Sequence, residues 1–239
     1  MTLSLLLIWT FIVSATSIGA SLYVRKYNRP DVLIALYVTL VTIANIVAQK
    51  VIEYDFGSIS FFATAGTILF AVTYLVTDIV NEKFGRDEAR RMVFIAFGMQ
   101  AIVAVFFYMV ISATSAPFYL NQEAFELILG SSLRVIGASL LAFVVCEIMD
   151  VYIFHWLKKI TNGKHLWMRS AFSTLPTMVI DSVLFVSLAF YGILPIWPII
   201  LGLIVVKWIV GIMDVPFMYL SRYIMYKKDS SVEISGQQN

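Results

Sequence analysis

The chain has 239 residues, 60% of them hydrophobic and 13% charged, with a mean hydropathy of +0.87; soluble domains carry about 25% charged residues. A packed globule of this length cannot hide so much apolar surface, and a net charge of +2 is too small to argue for nucleic acid. Cys146 is the one cysteine, which excludes an internal disulfide and a metal site built from cysteines.

Seven stretches are long enough to cross a hydrocarbon core, which takes about 20 apolar residues as helix. In chain order they cover roughly 3–23, 31–50, 59–81, 90–113, 133–156, 168–190 and 198–221. A spanning chain must satisfy its own backbone polar groups, so these are read as helices rather than an open sheet. The first, beginning "MTLSLLLIWT", lacks a basic leader and is followed by "RKYNR" rather than a cleavage site, so it is read as a retained span. The expected fold class is therefore all-α: a polytopic helical bundle of about seven spans, a six-helix core plus an extra N-terminal helix.

Fourteen of the 17 basic residues fall in alternate loops: Arg25, Lys26 and Arg29; Lys83, Arg86, Arg90 and Arg91; Lys158, Lys159, Lys164 and Arg169; Arg222, Lys227 and Lys228. The opposite loops hold Glu53, Asp55, Glu123 and Glu126, with Lys50 and Arg134 at helix ends. Positive residues stay on the cytoplasmic side, so the chain is expected N-out and C-in in the inner membrane. Trp156, Trp167 and Trp197 stand where interfacial anchors are expected. The longest outer loop, about 114–132, has the pattern of a short amphipathic helix on the outer surface. Residues 1–226 read as one transmembrane domain and 227–239, "KKDSSVEISGQQN", as a polar cytoplasmic tail.

The chain has no GxxxxGK[ST] phosphate loop, no HExxH and no cluster of His and Cys; His155 and His165 read as decoration of the inner interface. No catalytic residue, metal or cofactor is expected. What remains is one lysine and a set of acids inside the spans. Lys207 lies in the seventh span, Asp181 near the middle of the sixth and Glu147 near the middle of the fifth; Asp78, Asp150 and Asp214 lie within about two turns of the inner face. Each such side chain costs about 2.5–3.5 kcal/mol at the bilayer centre, which makes them candidates for function. The structural alternative is that Lys207 neutralises Glu147 or Asp181 and locks two helices together. Five acids cannot all pair with one base.

Spacing adds detail. Glu147 and Asp150 share one helix face, and Lys207, Gly211 and Asp214 share another. Gly211 leaves room for a ligand or a neighbouring helix. "YLVTDIVN" in the third span resembles "FVVCEIMD" in the fifth, and "GIMDVPF" in the seventh echoes "EIMDVYIF", so three inward-running helices bring acids to similar depth. Pro216 is expected to kink the seventh helix.

"TDIVNEKFGRDEARR" (77–91), "EIMDVYIFHWLKK" (147–159), "MRSAFSTLPTMVIDSVLF" (168–185) and the stretch from Lys207 to Pro216 together resemble the queuosine-precursor transporters, the vitamin-uptake (VUT, YhhQ-type) family. The resemblance covers about residues 31–226 and implies uptake of 7-deazaguanine bases: the 7-cyano and 7-aminomethyl forms, or queuine. It implies a small-molecule substrate and a lipid bilayer as partners, with a homodimer left open and no nucleic acid.

The residues suit such a base. Its edge offers two adjacent donors that one carboxylate can accept side by side, and charge-assisted bonds are about twice as strong as neutral ones. A lysine can donate to the neighbouring carbonyl, and aromatic rings can stack on the plane. The expected substrate-binding set is Asp181 for the donor edge, Glu147 as second reader and Lys207 for the carbonyl. Asp78, Asn81 and Asp150 form the inner wall, Asp214 completes the set, and Arg90 is open to pair with Asp78 or Glu82 as a gate. Competing readings are the substrate-capture subunit of an ECF-type importer, for which "ASLLA" (138–142) has small residues spaced for docking, and a carrier of another purine-like base or vitamin.

Overall fold

A computed structural model describes residues 3–48, 50–55, 60–130, 133–161, 166–192 and 195–226. Lys164, His165 and the tail 227–239 lie outside the described residues, as do the side chains of Arg134, Glu147, Trp167 and Arg169. The elements, in order, are α1 (Leu3–Tyr27), α2 (Asp31–Val47), β1 (Val51–Asp55), β2 (Ser60–Thr64), α3 (Thr67–Phe84), α4 (Arg86–Ser112), α5 (Gln122–Leu129), α6 (Leu133–Ile160), α7 (Leu166–Phe190) and α8 (Ile196–Tyr226). Among the described residues, Arg86–Ser112, Gly137–Ile160 and Ile196–Tyr226 are long and apolar enough to cross a membrane, with shorter apolar helices at Asp31–Val47 and Leu175–Phe190. The protein is a helical membrane protein.

The expected third span needs correction. Residues 60–64 are not its first turn but a strand, paired antiparallel with β1 from Val51↔Thr64 to Asp55↔Ser60 and closed by Ala65 N–H donating to Lys50 O at 2.7 Å. The β-branched and aromatic residues of "VIEYD" and "SFFAT" favour a pleated surface, and the helix begins only at Thr67. Away from water, strand backbone is tolerated where protein covers it. Here Ala63 is buried and Phe62 lies against α8, where a Cβ on Gly202 would collide with the Phe62 carbonyl oxygen.

That contact yields a test. Helix propensity alone gives Gly→Ala a gain of about 0.5–1 kcal/mol. Gly202→Ala should instead cost about 1–3 kcal/mol, because backbone rather than a mobile side chain must shift. Thermal unfolding in detergent reads the sign; a stabilised variant would mean the hairpin does not press on α8.

Four helices close a ring in which α3 packs on α8, α8 on α7, α7 on α6 and α6 on α3. α1 lies outside against α8, and α2 and α4 pack against each other and against the ring. α3 is buried on every side from Val72 to Glu82. This explains how a helix bearing Asp78, Asn81 and Glu82 persists in an apolar chain: none of these side chains meets lipid. α4 presents Phe94, Phe97, Ile102, Phe106 and Met109 outward, the composition of a lipid-facing surface. α5 buries none of its residues, as an amphipathic surface helix should. Trp156 and Trp197 are exposed.

The basic helix ends converge. Lys158 of α6 and Arg222 of α8 both reach Glu82 of α3. The Lys83 ammonium lies 4.7 Å from the centre of the Tyr226 ring, and Arg90 of α4 donates to Tyr152 Oη of α6 at 3.2 Å. Ser17 and Ser221 hydroxyls, 2.6 Å apart, align α1 with the last turns of α8.

Candidate functional site

The charged residues meet where α7 crosses α8. The Lys207 ammonium donates to Asp181 Oδ2, and the residues are 3% and 7% exposed. Of the two acids open to Lys207 on sequence, Asp181 is its partner here. The same crossing is zipped twice more: Trp208 Nε1–H donates to Leu175 O at 3.1 Å, and Met178 fills the notch left by Gly211, its Cε 3.2 Å from where a Cβ would sit. The space at Gly211 is thus taken by a neighbouring helix. Both helices run through their internal prolines, Pro176 and Pro216, without ending.

Further along the ring, Asp150 of α6 is fully buried and accepts a hydrogen bond from Thr177 Oγ1 of α7 at 3.4 Å. One residue on, the Val151 carbonyl accepts from Asn81 Nδ2 at 3.2 Å, tying α3 to α6 beside that acid. Asp78, a turn before Asn81 on the same face, is 1% exposed. Asp214 is 5% exposed, and neither of its carboxylate oxygens has a hydrogen-bond partner among the described residues. The structure thus joins Asp181 to Lys207 directly and ties Asn81 to the α6 segment that carries Asp150. Asp78 and Asp214 are buried on the ring helices α3 and α8. Glu147 lies on α6, its side chain outside the described residues. Among the described residues no group of three or more His, Cys, Asp or Glu could hold a metal ion.

Two arrangements went unread in the sequence, the first being the partners of Glu82. Glu82, 6% exposed, binds Lys158 at 3.3 Å and Arg222 at 3.7 Å, and Lys158 Nζ also donates to the Glu82 carbonyl at 2.8 Å. The gate pairing considered for Arg90 is therefore corrected: Lys158 and Arg222 take Glu82, and Arg90 turns to Tyr152. The second feature is an amide clamp. Asn45 Nδ2 donates to Gln100 Oε1 at 3.0 Å, Gln100 Nε2 to Thr42 Oγ1 at 2.7 Å and Ser139 Oγ to Asn45 Oδ1 at 3.0 Å. It joins α2, α4 and α6 beside a cleft that α5 borders with Ile128 and Leu129. Neutral amides inside apolar spans were the available signal.

A ring of membrane helices that buries a lysine and several carboxylates along its interior has the build of a transporter. A family model described as "Putative vitamin uptake transporter" matches residues 64–221, and the chain belongs to that family. It is 27% identical over 227 residues to a "Probable queuosine precursor transporter" of Bacillus subtilis, covering 93% of this chain and 97% of the relative. It is also 27% identical over 171 residues to a "Queuosine precursor transporter" of Escherichia coli, covering 70% of this chain and 71% of that one. A "Probable queuosine precursor transporter" of Haemophilus influenzae is 29% identical over 132 residues, covering 55% of this chain and 54% of the relative. No solved structure matches the chain. The Bacillus match leaves fewer residues uncovered than α1 contains, so part of α1 has a counterpart there.

Proposed function

We propose that this protein imports a 7-deazaguanine precursor of queuosine across the cytoplasmic membrane, without an ATPase of its own. Residues 1–226 form the transport domain, with seven spans, N-out, and 227–239 form a cytoplasmic tail. The observation that carries this reading is the buried Lys207–Asp181 pair, flanked by buried acids on the ring helices. A lysine and a carboxylate held against each other are the donor and acceptor that the base edge needs. The base exchanges one charge-assisted interaction for two, Asp181 accepting from its adjacent N–H groups and Lys207 donating to its carbonyl. Glu147 is the second reader, and Asp78, Asn81, Asp150 and Asp214 line the path toward the basic end.

Calorimetry with the purified chain and 7-cyano- and 7-aminomethyl-7-deazaguanine tests this. Asp181→Asn turns one acceptor oxygen into a donor and should weaken binding by about 1–3 kcal/mol, roughly 10- to 100-fold. Unchanged binding in Asp181→Asn with loss in Glu147→Gln would reverse their roles; no effect of either would move the site elsewhere.

For topology, a cysteine at position 2 should label from outside intact cells and one at 235 should not; the opposite pattern would invert the bundle. The capture-subunit reading loses its sequence support, because Ala138 and Ala142 of "ASLLA" are buried within the chain itself. Uptake by this protein alone in proteoliposomes separates a carrier from a subunit.

A further inference from the structure

We propose that Trp9 of α1 is a wall of the base-binding site, its indole ring stacking on the base plane and its N–H donating to an acceptor atom there. This rests on the binding reading given above and adds a residue that lies outside the family match at 64–221. Three observations carry it.

The first is position. Trp9 is partly buried and packs against all three buried apolar clusters, including the pair Tyr74 and Met178. Met178 is the side chain that fills the Gly211 notch on the stripe bearing Lys207 and Asp214. Tyr74, 2% exposed, precedes Asp78 by four residues and so shares its helix face. A side chain from the outermost-packed helix therefore reaches the junction of the two walls that carry the acids.

The second is an unspent donor. Trp9 Nε1 is buried and makes no hydrogen bond among the described residues. A buried indole N–H ordinarily finds an acceptor; Trp208 finds the Leu175 carbonyl.

The third is chemistry. The carboxylates of the site can accept bonds from the base but, when ionised, cannot donate. An indole supplies a second donor beside Lys207, for a ring nitrogen or a nitrile, and a flat apolar face. Stacking of this kind is a main source of affinity for single bases. Filling the junction between three clusters would explain the size of Trp9, but any large side chain fills space, and that account leaves its N–H unspent.

Intrinsic fluorescence of the full chain, titrated with 7-cyano-7-deazaguanine, tests this alongside calorimetry. A variant that keeps Trp9 alone, with Trp156, Trp167, Trp197 and Trp208 changed to Phe, should retain ligand-dependent quenching. In the wild-type background, Trp9→Phe should lose most of that quenching and bind about tenfold more weakly, while Trp197→Phe, at an exposed position away from the crossing, keeps both. Emission from the Trp9-only chain that ignores saturating ligand overturns the proposal, even where Trp9→Phe fails to fold. Binding by Trp9→Phe within twofold of wild type also overturns it. If Asp181→Asn binds normally while Trp9→Phe is weakened, the ionic part of the reading falls and Trp9 stands. If calorimetry finds no deazaguanine bound to wild type, both fall.

Discussion

Lys207→Ala is expected to be the most damaging single substitution in the ring. Removing one member of a buried ion pair leaves the other charge uncompensated, at a cost of about 3–5 kcal/mol, a large share of the 5–15 kcal/mol that typically holds a domain folded. Low yield and a lowered midpoint in thermal unfolding would record it. The double variant Lys207→Met with Asp181→Leu should fold again, since replacing both charges by apolar groups of similar volume is often neutral or favourable. It should still carry no substrate. Wild-type uptake by that double variant would show that the pair only staples α7 to α8.

Glu82→Gln should act on closure rather than folding. Its carboxylate ties α3 to α6 and α8, but Lys158 and Arg222 keep side-chain exposures of 30% and 39%, so water can take over their solvation and the fold should lose no more than about 1 kcal/mol. What should change is access from the basic end. Val151, fully buried beneath Asn81, offers a reporter: Val151→Cys in a Cys146→Ala background should resist maleimide in inside-out vesicles. Adding Glu82→Gln should raise its labelling about tenfold, the effect of some 1.4 kcal/mol on an opening equilibrium. Equal labelling with and without Glu82 would show that the cluster does not control this end.

What could be read from sequence followed from cost. Charges inside apolar runs are expensive, so Lys207, Asp181, Asp78, Asp150 and Asp214 stood out, and all five are buried. Which acid Lys207 would choose was not legible, because the angle at which α7 crosses α8 decides it. Glu82 stood open to Arg90 in the sequence; only the meeting of three helix ends makes it a hub for Lys158 and Arg222. The hairpin escaped because "VIEYD" and "SFFAT" continue an apolar stretch, and short apolar runs do not declare helix or strand by periodicity. Asn45 and Gln100 escaped because amides that satisfy each other carry no charge to betray them.

Glu82 and Asp181 also impose an order on the making of the protein. Both acids leave the ribosome before their cations: Glu82 precedes Lys158 and Arg222, and Asp181 precedes Lys207. α3 therefore enters the bilayer region with Asp78 and Glu82 against the single cation Lys83, each acid unfavourable to insertion by the same scale that reads hydropathy. Two of the three cations, Lys207 and Arg222, arrive on α8, the last helix described. A nascent chain stopped before α8 holds Asp181 without Lys207, leaves Glu82 with Lys158 but not Arg222, and lacks one side of the ring. Assembly is thus completed by the last helix described, and a truncated copy carries in Asp181, deprived of Lys207, a mark by which a membrane can tell it from the finished protein.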